Sequence, residues 1–389
     1  MIYNTLGKTG LKVSRLGFGT MRLPTFNSNA DINKVEATKM FDYGIENGIN
    51  IFDSAYVYHN DVLAGNGNGE IFLGEYLKEN NLRDEIILQT KSPTWFIQKK
   101  SDFEFYLNNQ LEKLHTDYVD IYLLHSLTAA GWDKVKDLGV LDFLDDCLSS
   151  GKVKHVGFSS HTDLNNLIKI LDEYPKWEVV LTQMNYLDEY YQSGTAGLKY
   201  LKRNNVGTMI MEPLRGGRLI NHIPEEVKVW WEISDVERTP VEWALQYLWN
   251  RDDVDCVFSG MSSLKQVKEN VKYAATEDII NEYDQEILKE VSRQYKASSL
   301  GNKCTQCGYC MPCPNGVDIL NCFKEYNIAQ MLKDPKASAL QYFSLIGVDS
   351  RADSCVQCGD CVPLCTQDIN IPKELQKVYE YFGTEFDHF

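Results

Sequence analysis

The chain has 389 residues, more than one typical domain, and its 55 acidic against 39 basic side chains give a formal charge of −16. That balance speaks against nucleic acid or an anionic membrane as partner, because Lys and Arg are what neutralise phosphate. No apolar run approaches the ~20 residues of a membrane helix and the opening MIYNTLGKTG lacks an apolar leader, so a cytoplasmic protein with reduced thiols is expected.

A polar, hairpin-like start (Ile2 to Lys12) precedes eight short apolar stretches that read as strands. These are Arg15 to Gly19, Ile49 to Ser54, Ile86 to Lys91, Val119 to His125, Val153 to Ser159, Val179 to Gln183, Gly207 to Glu212 and Cys256 to Ser259. Amphipathic helical patterns lie between them: Lys34 to Asn47, Asp102 to Leu114, Lys134 to Leu148, Leu164 to Tyr174, Pro240 to Trp249 and Leu264 to Ala274. Eight βα units is the count of a closed (β/α)8 TIM barrel, predicted here over residues 1–280. An open doubly wound sheet is the alternative, but no Gly-x-Gly-x-x-Gly follows the first strand. Gly65-Asn66-Gly67-Asn68-Gly69 reads as a loop after the second strand. From Asn281 the strand pattern stops, and residues 281–389 read as a small helical domain with a helix across Leu320 to Ile346.

That second domain holds eight of the eleven cysteines in two runs, Cys304, Cys307, Cys310 and Cys313, then Cys355, Cys358, Cys361 and Cys365. A cubane iron-sulfur cluster needs four converging thiolates, and Cys-x2-Cys-x2-Cys lets one loop wrap three corners while a more distant cysteine supplies the fourth. Two 4Fe-4S clusters are therefore expected. Structural zinc competes, but it usually sets two Cys-x2-Cys pairs well apart. A disulfide framework belongs to short secreted chains. Cys147, Cys256 and Cys322 stand apart and read as buried small hydrophobes.

In a barrel of this kind, polar residues at the C-terminal ends of strands are the first catalytic candidates. The second strand ends in Asp53, with Tyr58 shortly after; the third ends in Lys91; the fourth ends in His125. Together they form a coherent proton-transfer set. A tyrosine with a pKa near ~10 is a poor acid at neutral pH, and an adjacent ammonium, Lys91, is expected to lower it. Asp53 would hold Lys91 charged and in place, while His125 would hydrogen-bond a substrate carbonyl.

These residues and their flanks resemble the aldo-keto reductase family across roughly residues 1 to 275. The segments that carry the resemblance are Leu16-Gly17-Phe18-Gly19-Thr20, Phe52-Asp53-Ser54-Ala55 through Tyr58, Thr90-Lys91, Asp120 through His125, and Gly151 through Ser159. The resemblance implies a barrel that binds NAD or NADP, with Gly19 and Thr20 beside it and Ser159 and Gln183 on the carboxamide. It also implies that Met211, Pro213, Leu214 and Gly217 lie along the ring and pyrophosphate, and that Glu269 and Asn270 lie at the adenine. Three departures stand out: Met211 replaces a frequent aromatic, Ser160 and His161 replace an asparagine, and uncharged Gly260 and Gln266 fall where NADP-using relatives carry basic residues. NADH is accordingly expected over NADPH, although Lys265 and Lys268 are close by.

The tail resembles ferredoxin-like domains that hold two 4Fe-4S clusters, in which the fourth cysteine of each run serves the other cluster. The implied function is an oxidoreductase that reduces a small carbonyl or related unsaturated group with NAD(P)H, Tyr58 donating the proton. The clusters would act as one-electron relay, redox sensor or structural element, and a one-electron donor protein such as ferredoxin or flavodoxin is a partner of matching chemistry. The alternative is an electron-transfer or regulatory protein whose barrel binds nicotinamide with little turnover. Loops around Trp95, Leu127 to Trp132 and Arg218 to Trp231 are expected to set specificity.

Overall fold

The computed structural model of the protein describes residues 1–60, 67–221, 223–278, 280–297, 301–304, 308, 310–332, 334–365 and 367–386. A short antiparallel hairpin opens the chain, with β1 (Tyr3–Thr5) paired to β2 (Lys12–Ser14). Eight parallel strands follow: β3 (Leu16–Gly19), β4 (Ile51–Asp53), β5 (Ile87–Ser92), β6 (Val119–Leu127), β7 (Val153–Ser160), β8 (Val179–Gln183), β9 (Gly207–Met211) and β10 (Cys256–Gly260). Each pairs with the next in sequence, and β10 pairs with both β9 and β3, which closes the barrel. All eight expected strands are present within a few residues of their predicted bounds, and closure decides against the open sheet.

Side-chain alternation sorts the strands into two apolar layers. Ile51, Ile121, Leu123, Val179, Leu181, Met209 and Phe258 fill the interior together with Leu6 and Val13 of the hairpin segment. Phe18, Phe52, Leu88, Tyr122, Leu124, Val156, Phe158 and Val180 face the helices instead. The same parity carries Asp53, Lys91 and His125 to the inner face, each two residues beyond an inward residue or a member of that row. Strands crowd here: a Cβ on Gly157 would lie 2.3 Å from the Val179 carbonyl oxygen, so only glycine fits.

The helices of the barrel are α1 (Lys34–Glu46), α2 (Gly69–Glu79), α3 (Lys100–Lys113), α4 (Ala129–Asp137), α5 (Val140–Ser150), α6 (Leu164–Glu173) and α7 (Gly194–Arg203). The single helix expected over Lys134 to Leu148 is two helices, because Gly139 adopts φ 88°, a left-handed conformation that stops α4 and starts α5. After β9 come α8 (Arg218–Asn221) and α9 (Glu225–Glu232) where a loop was expected, then α10 (Pro240–Trp249) and α11 (Leu264–Ala275).

The chain divides into two compact units, Met1–Pro213 with Val241–Ile280, and Leu214–Pro240 with Asn281–Phe389. The expected boundary at 281 is thus joined by an excursion: α8 and α9 group with the C-terminal residues rather than with the barrel. The second unit adds α12 (Glu282–Ala297), α13 (Ile319–Leu332), α14 (Pro335–Leu345) and α15 (Ile371–Phe386). Where one helix was expected across Leu320 to Ile346 there are two, α14 beginning at Pro335 with Asp334 accepting from the Ala337 N–H at 3.2 Å. Its core is built around Phe323, Val378 and the stacked rings of Tyr342 and Phe382, 4.4 Å apart. Among the described residues, no helix is long and apolar enough to cross a membrane.

Candidate active site and cysteine seats

At the C-terminal mouth of the barrel, Lys91 is the centre of a buried polar cluster. Its ammonium lies 2.6 Å from Asp53 Oδ1, donates to the Tyr58 hydroxyl at 3.0 Å and to the Ser54 carbonyl at 2.8 Å. Lys91 is 1% exposed and Asp53 5%, so neither charge is stabilised by water. Gln89, two residues before Lys91 on β5 and hence on the same face, donates from Nε2 to the same Asp53 oxygen at 2.7 Å. The Tyr58 and His125 rings meet edge to face with centroids 6.1 Å apart, and Trp95 lies 5.0 Å from His125. The four residues Asp53, Tyr58, Lys91 and His125 are therefore gathered in one place.

Their protonation follows from this geometry. Burial pulls the Lys91 ammonium down, but Asp53 and Tyr58 together outweigh it and leave Lys91 raised above the ordinary lysine value. For Tyr58 the balance runs the other way. Burial is the largest influence and pushes the phenol up; Lys91 opposes it without overcoming it, so the net shift is upward rather than the expected lowering. Burial, with Lys91 and His161 adding to it, holds His125 well below its ordinary range, so its ring is neutral at physiological pH. Its Nδ1 is buried with no hydrogen-bond partner among the described residues.

Sequence reasoning did not single out three supporting groups. Gln89 was legible from its i, i+2 relation to Lys91. His59, 2% exposed at φ 61°, ties the segment after Tyr58 to the Thr20 and Asn29 carbonyls at 2.8 and 2.9 Å. Behind β5, fully buried Glu70 of α2 accepts from Thr90 and from Gln110 at 2.6 Å and pairs with Lys113 at 3.2 Å, while Gln110 also donates to the Lys91 carbonyl at 3.0 Å.

Of the residues expected at a nucleotide, Gly19, Thr20, Ser159, Gln183 and Met211 lie at the C-terminal ends of barrel strands. Thr20 donates its hydroxyl to the Asp53 carbonyl at 3.0 Å, and Gly19 pairs with Asp53 across β3 and β4. Ser159 Oγ accepts the Ser126 N–H at 2.6 Å, and Gln183 is paired in register with Met211. Pro213 is buried, whereas Leu214 and Gly217 belong to the second unit. Asn270 is 3% exposed and its amide donates to Ser259 at 2.9 Å, so it supports β10 from the helix side; Glu269 sits beside Lys265 at 3.8 Å. Gly65 and Asn66 of the glycine-rich loop lie outside the described residues.

In the second unit the cysteines face two small spaces. Cys304, Cys310 and Cys365 line one with Leu320, Phe323 and Ile369. Cys313, Cys355, Cys358 and Cys361 line the other. Each run thus sends its fourth cysteine to the seat of the other. Cys307 lies outside the described residues. Cys147, Cys256 and Cys322 are buried as small apolar residues. Burial, then the neighbouring thiols Cys355, Cys358 and Cys310, pushes Cys361 up to about 11 in the absence of metal. Thiols crowded in this way suit a ligand shell in which a cationic cluster core stabilises the thiolates.

Residues 15–293 match the Aldo/keto reductase family, and residues 303–370 match a 4Fe-4S dicluster domain. L-galactose dehydrogenase of Arabidopsis thaliana is 30% identical over 324 residues, which span 74% of this chain and 92% of that protein. The NADH-specific methylglyoxal reductase of Escherichia coli is 23% identical over 337 residues, spanning 74% and 97%. An aldo-keto reductase from Bacillus halodurans, solved in its holo form, aligns with a TM-score of 0.63 at 27% identity, covering 75% of this chain and 96% of its own. With a closed eight-stranded barrel and a family match over most of its length, the chain belongs to the aldo/keto reductase family, as an oxidoreductase that carries a C-terminal 4Fe-4S dicluster domain.

Proposed function

We propose that the protein reduces a carbonyl or related unsaturated group of a small molecule with NADH or NADPH, Tyr58 supplying the proton. The observation that carries this is the Lys91 ammonium held between Asp53 Oδ1 at 2.6 Å and the Tyr58 hydroxyl at 3.0 Å. As the substrate oxygen gains negative charge, Tyr58 gives it a proton, and Lys91 stabilises the phenolate left behind. Asp53, held by Gln89, keeps the ammonium charged and aimed. Neutral His125 directs a ring N–H toward the carbonyl oxygen and so selects the substrate orientation. When bound, a nicotinamide supplies a hydride, two electrons at once, whereas a 4Fe-4S cluster exchanges one electron at a time.

The mouth fits a nicotinamide because Ser159 and Gln183 leave one donor and one acceptor to offer. The cysteine seats fit two clusters, one on Cys304, Cys307, Cys310 and Cys365 and one on Cys313, Cys355, Cys358 and Cys361. Single-electron chemistry at that unit suits a carrier protein such as ferredoxin or flavodoxin. Steady-state oxidation of NADH and NADPH against a panel of aldehydes and ketones tests the reductase reading. Turnover that depends on Tyr58 supports it; nucleotide binding with no turnover on any carbonyl favours a regulatory or electron-transfer role.

A further inference from the structure

The loop after β8 contains a carboxylate that the proton-transfer chemistry does not use. Asp188 is 7% exposed, and its Oδ2 accepts both the Gln183 Nε2 at 3.0 Å and the Asn185 Nδ2 at 2.9 Å. Asn185 in turn builds the turn that holds the carboxylate, its Oδ1 accepting the N–H groups of Leu187 and Asp188, each at 3.0 Å. The same Asn185 amide reaches the Glu212 carbonyl at 3.2 Å, which ties this loop to the end of β9.

A carboxylate can only accept hydrogen bonds, so Asp188 fixes which way the Gln183 amide points. The nitrogen must face Asp188, because a flipped amide would set two oxygens against each other. Gln183 Oε1 is then turned away, and it accepts no hydrogen bond among the described residues. Ser159 has the complementary polarity. Its Oγ already accepts the Ser126 N–H, which leaves the hydroxyl hydrogen as what it can offer. Ser160 adds nothing to the pair, since its hydroxyl is bonded to Thr162 at 2.9 Å.

We infer that Asp188 is a positioning residue for nucleotide recognition: by locking Gln183 with Oε1 forward, it makes the barrel mouth specific for a primary carboxamide. Such a group has an oxygen to accept from Ser159 and an N–H to donate to Gln183. An unlocked Gln183 would present nitrogen and oxygen in turn, and half of its orientations would oppose the ligand's N–H with another donor. This rests on the reading that a nicotinamide binds in the barrel.

The test compares binding of a reduced nicotinamide nucleotide with that of its 3-acetylpyridine analogue, in which a methyl group replaces the carboxamide NH2. Dissociation constants come from fluorescence titration of the full chain, with no turnover required. Wild type should prefer the carboxamide nucleotide. Asp188→Ala should weaken its binding about twofold, the factor for selecting one of two amide orientations, and leave analogue binding unchanged. Asp188→Asn, whose amide oxygen can still accept from Gln183, should restore the preference. Equal weakening toward both nucleotides, or an unchanged preference in Asp188→Ala, would overturn the inference while leaving the nicotinamide reading intact. If wild-type protein binds neither nucleotide, both fall.

Discussion

The Lys91 ammonium and the Asp53 carboxylate form a buried ion pair 2.6 Å apart, and the Tyr58 hydroxyl lies on the other side of the same ammonium at 3.0 Å. Only the phenolic O–H of Tyr58 is needed for proton donation, so Tyr58→Phe should lower carbonyl reduction by about 10²–10⁴-fold while leaving nucleotide dissociation constants nearly unchanged. Lys91→Met should be comparably damaging to rate. It should also destabilise the protein by about 3–5 kcal/mol, since the Asp53 charge would stay buried without its counterion. Wild-type turnover in Tyr58→Phe, on a confirmed substrate, would remove the assignment.

The pH dependence of reduction has a definite sign. Tyr58 must be protonated to donate, and its pKa is raised above the ordinary 10.0, so the active form survives further into the alkaline range than a free tyrosine would. His125 acts as the neutral ring, and its pKa is held well below 6.5, so no activity should be lost as pH falls through 6.5. The kcat/KM profile for reduction should accordingly be flat across about pH 6 to 9. An acid limb with a midpoint near 6.5 would show that His125 titrates like an exposed histidine.

Much of this was legible because strands in a closed barrel are short, apolar and regularly spaced. The C-terminal ends of consecutive strands also marked Asp53, Lys91 and His125 as candidates for one site. What sequence could not show is tertiary. The upward shift of Tyr58 comes from burial, which only packing reveals, and it overrides the local rule that a nearby ammonium lowers a phenol. Gly139 was hidden inside a continuous amphipathic pattern until its left-handed φ split the helix. The affiliation of residues 214–240 with the second unit depends on long-range contacts, and so does the pairing of Asp188 with Gln183.

Nucleotide choice should favour NADH. Gln266 is neutral and its Oε1 accepts the Ser262 N–H at 2.7 Å, while Lys265 stands 3.8 Å from the Glu269 carboxylate and Lys268 lies over the Tyr43 ring. The nearest cationic stem to Gly260 is that of Arg22, whose side-chain carbons would lie 3.2–3.4 Å from a Cβ placed there. Titration of both reduced nucleotides, followed by fluorescence, decides the matter. Tighter NADPH binding that is abolished in Arg22→Gln would reverse the expectation and identify the cation responsible.

Crossed ligation in the second unit makes the last prediction. Anaerobically prepared protein should hold about eight iron atoms and no zinc, as two four-iron clusters each take four thiolates. Cys313 lines the space of Cys355, Cys358 and Cys361, and Cys365 lines that of Cys304 and Cys310. Cys313→Ala should therefore damage the cluster of the downstream run first, although the substitution lies in the upstream one. Cys365→Ala should do the reverse. Electron paramagnetic resonance of the reduced variants, with iron analysis, separates the two cases: about four iron atoms should remain in each, carrying the signal of the cluster whose ligands were left intact. A Cys313→Ala protein that loses only the cluster of Cys304, Cys307 and Cys310 would show that each run closes its own cluster instead.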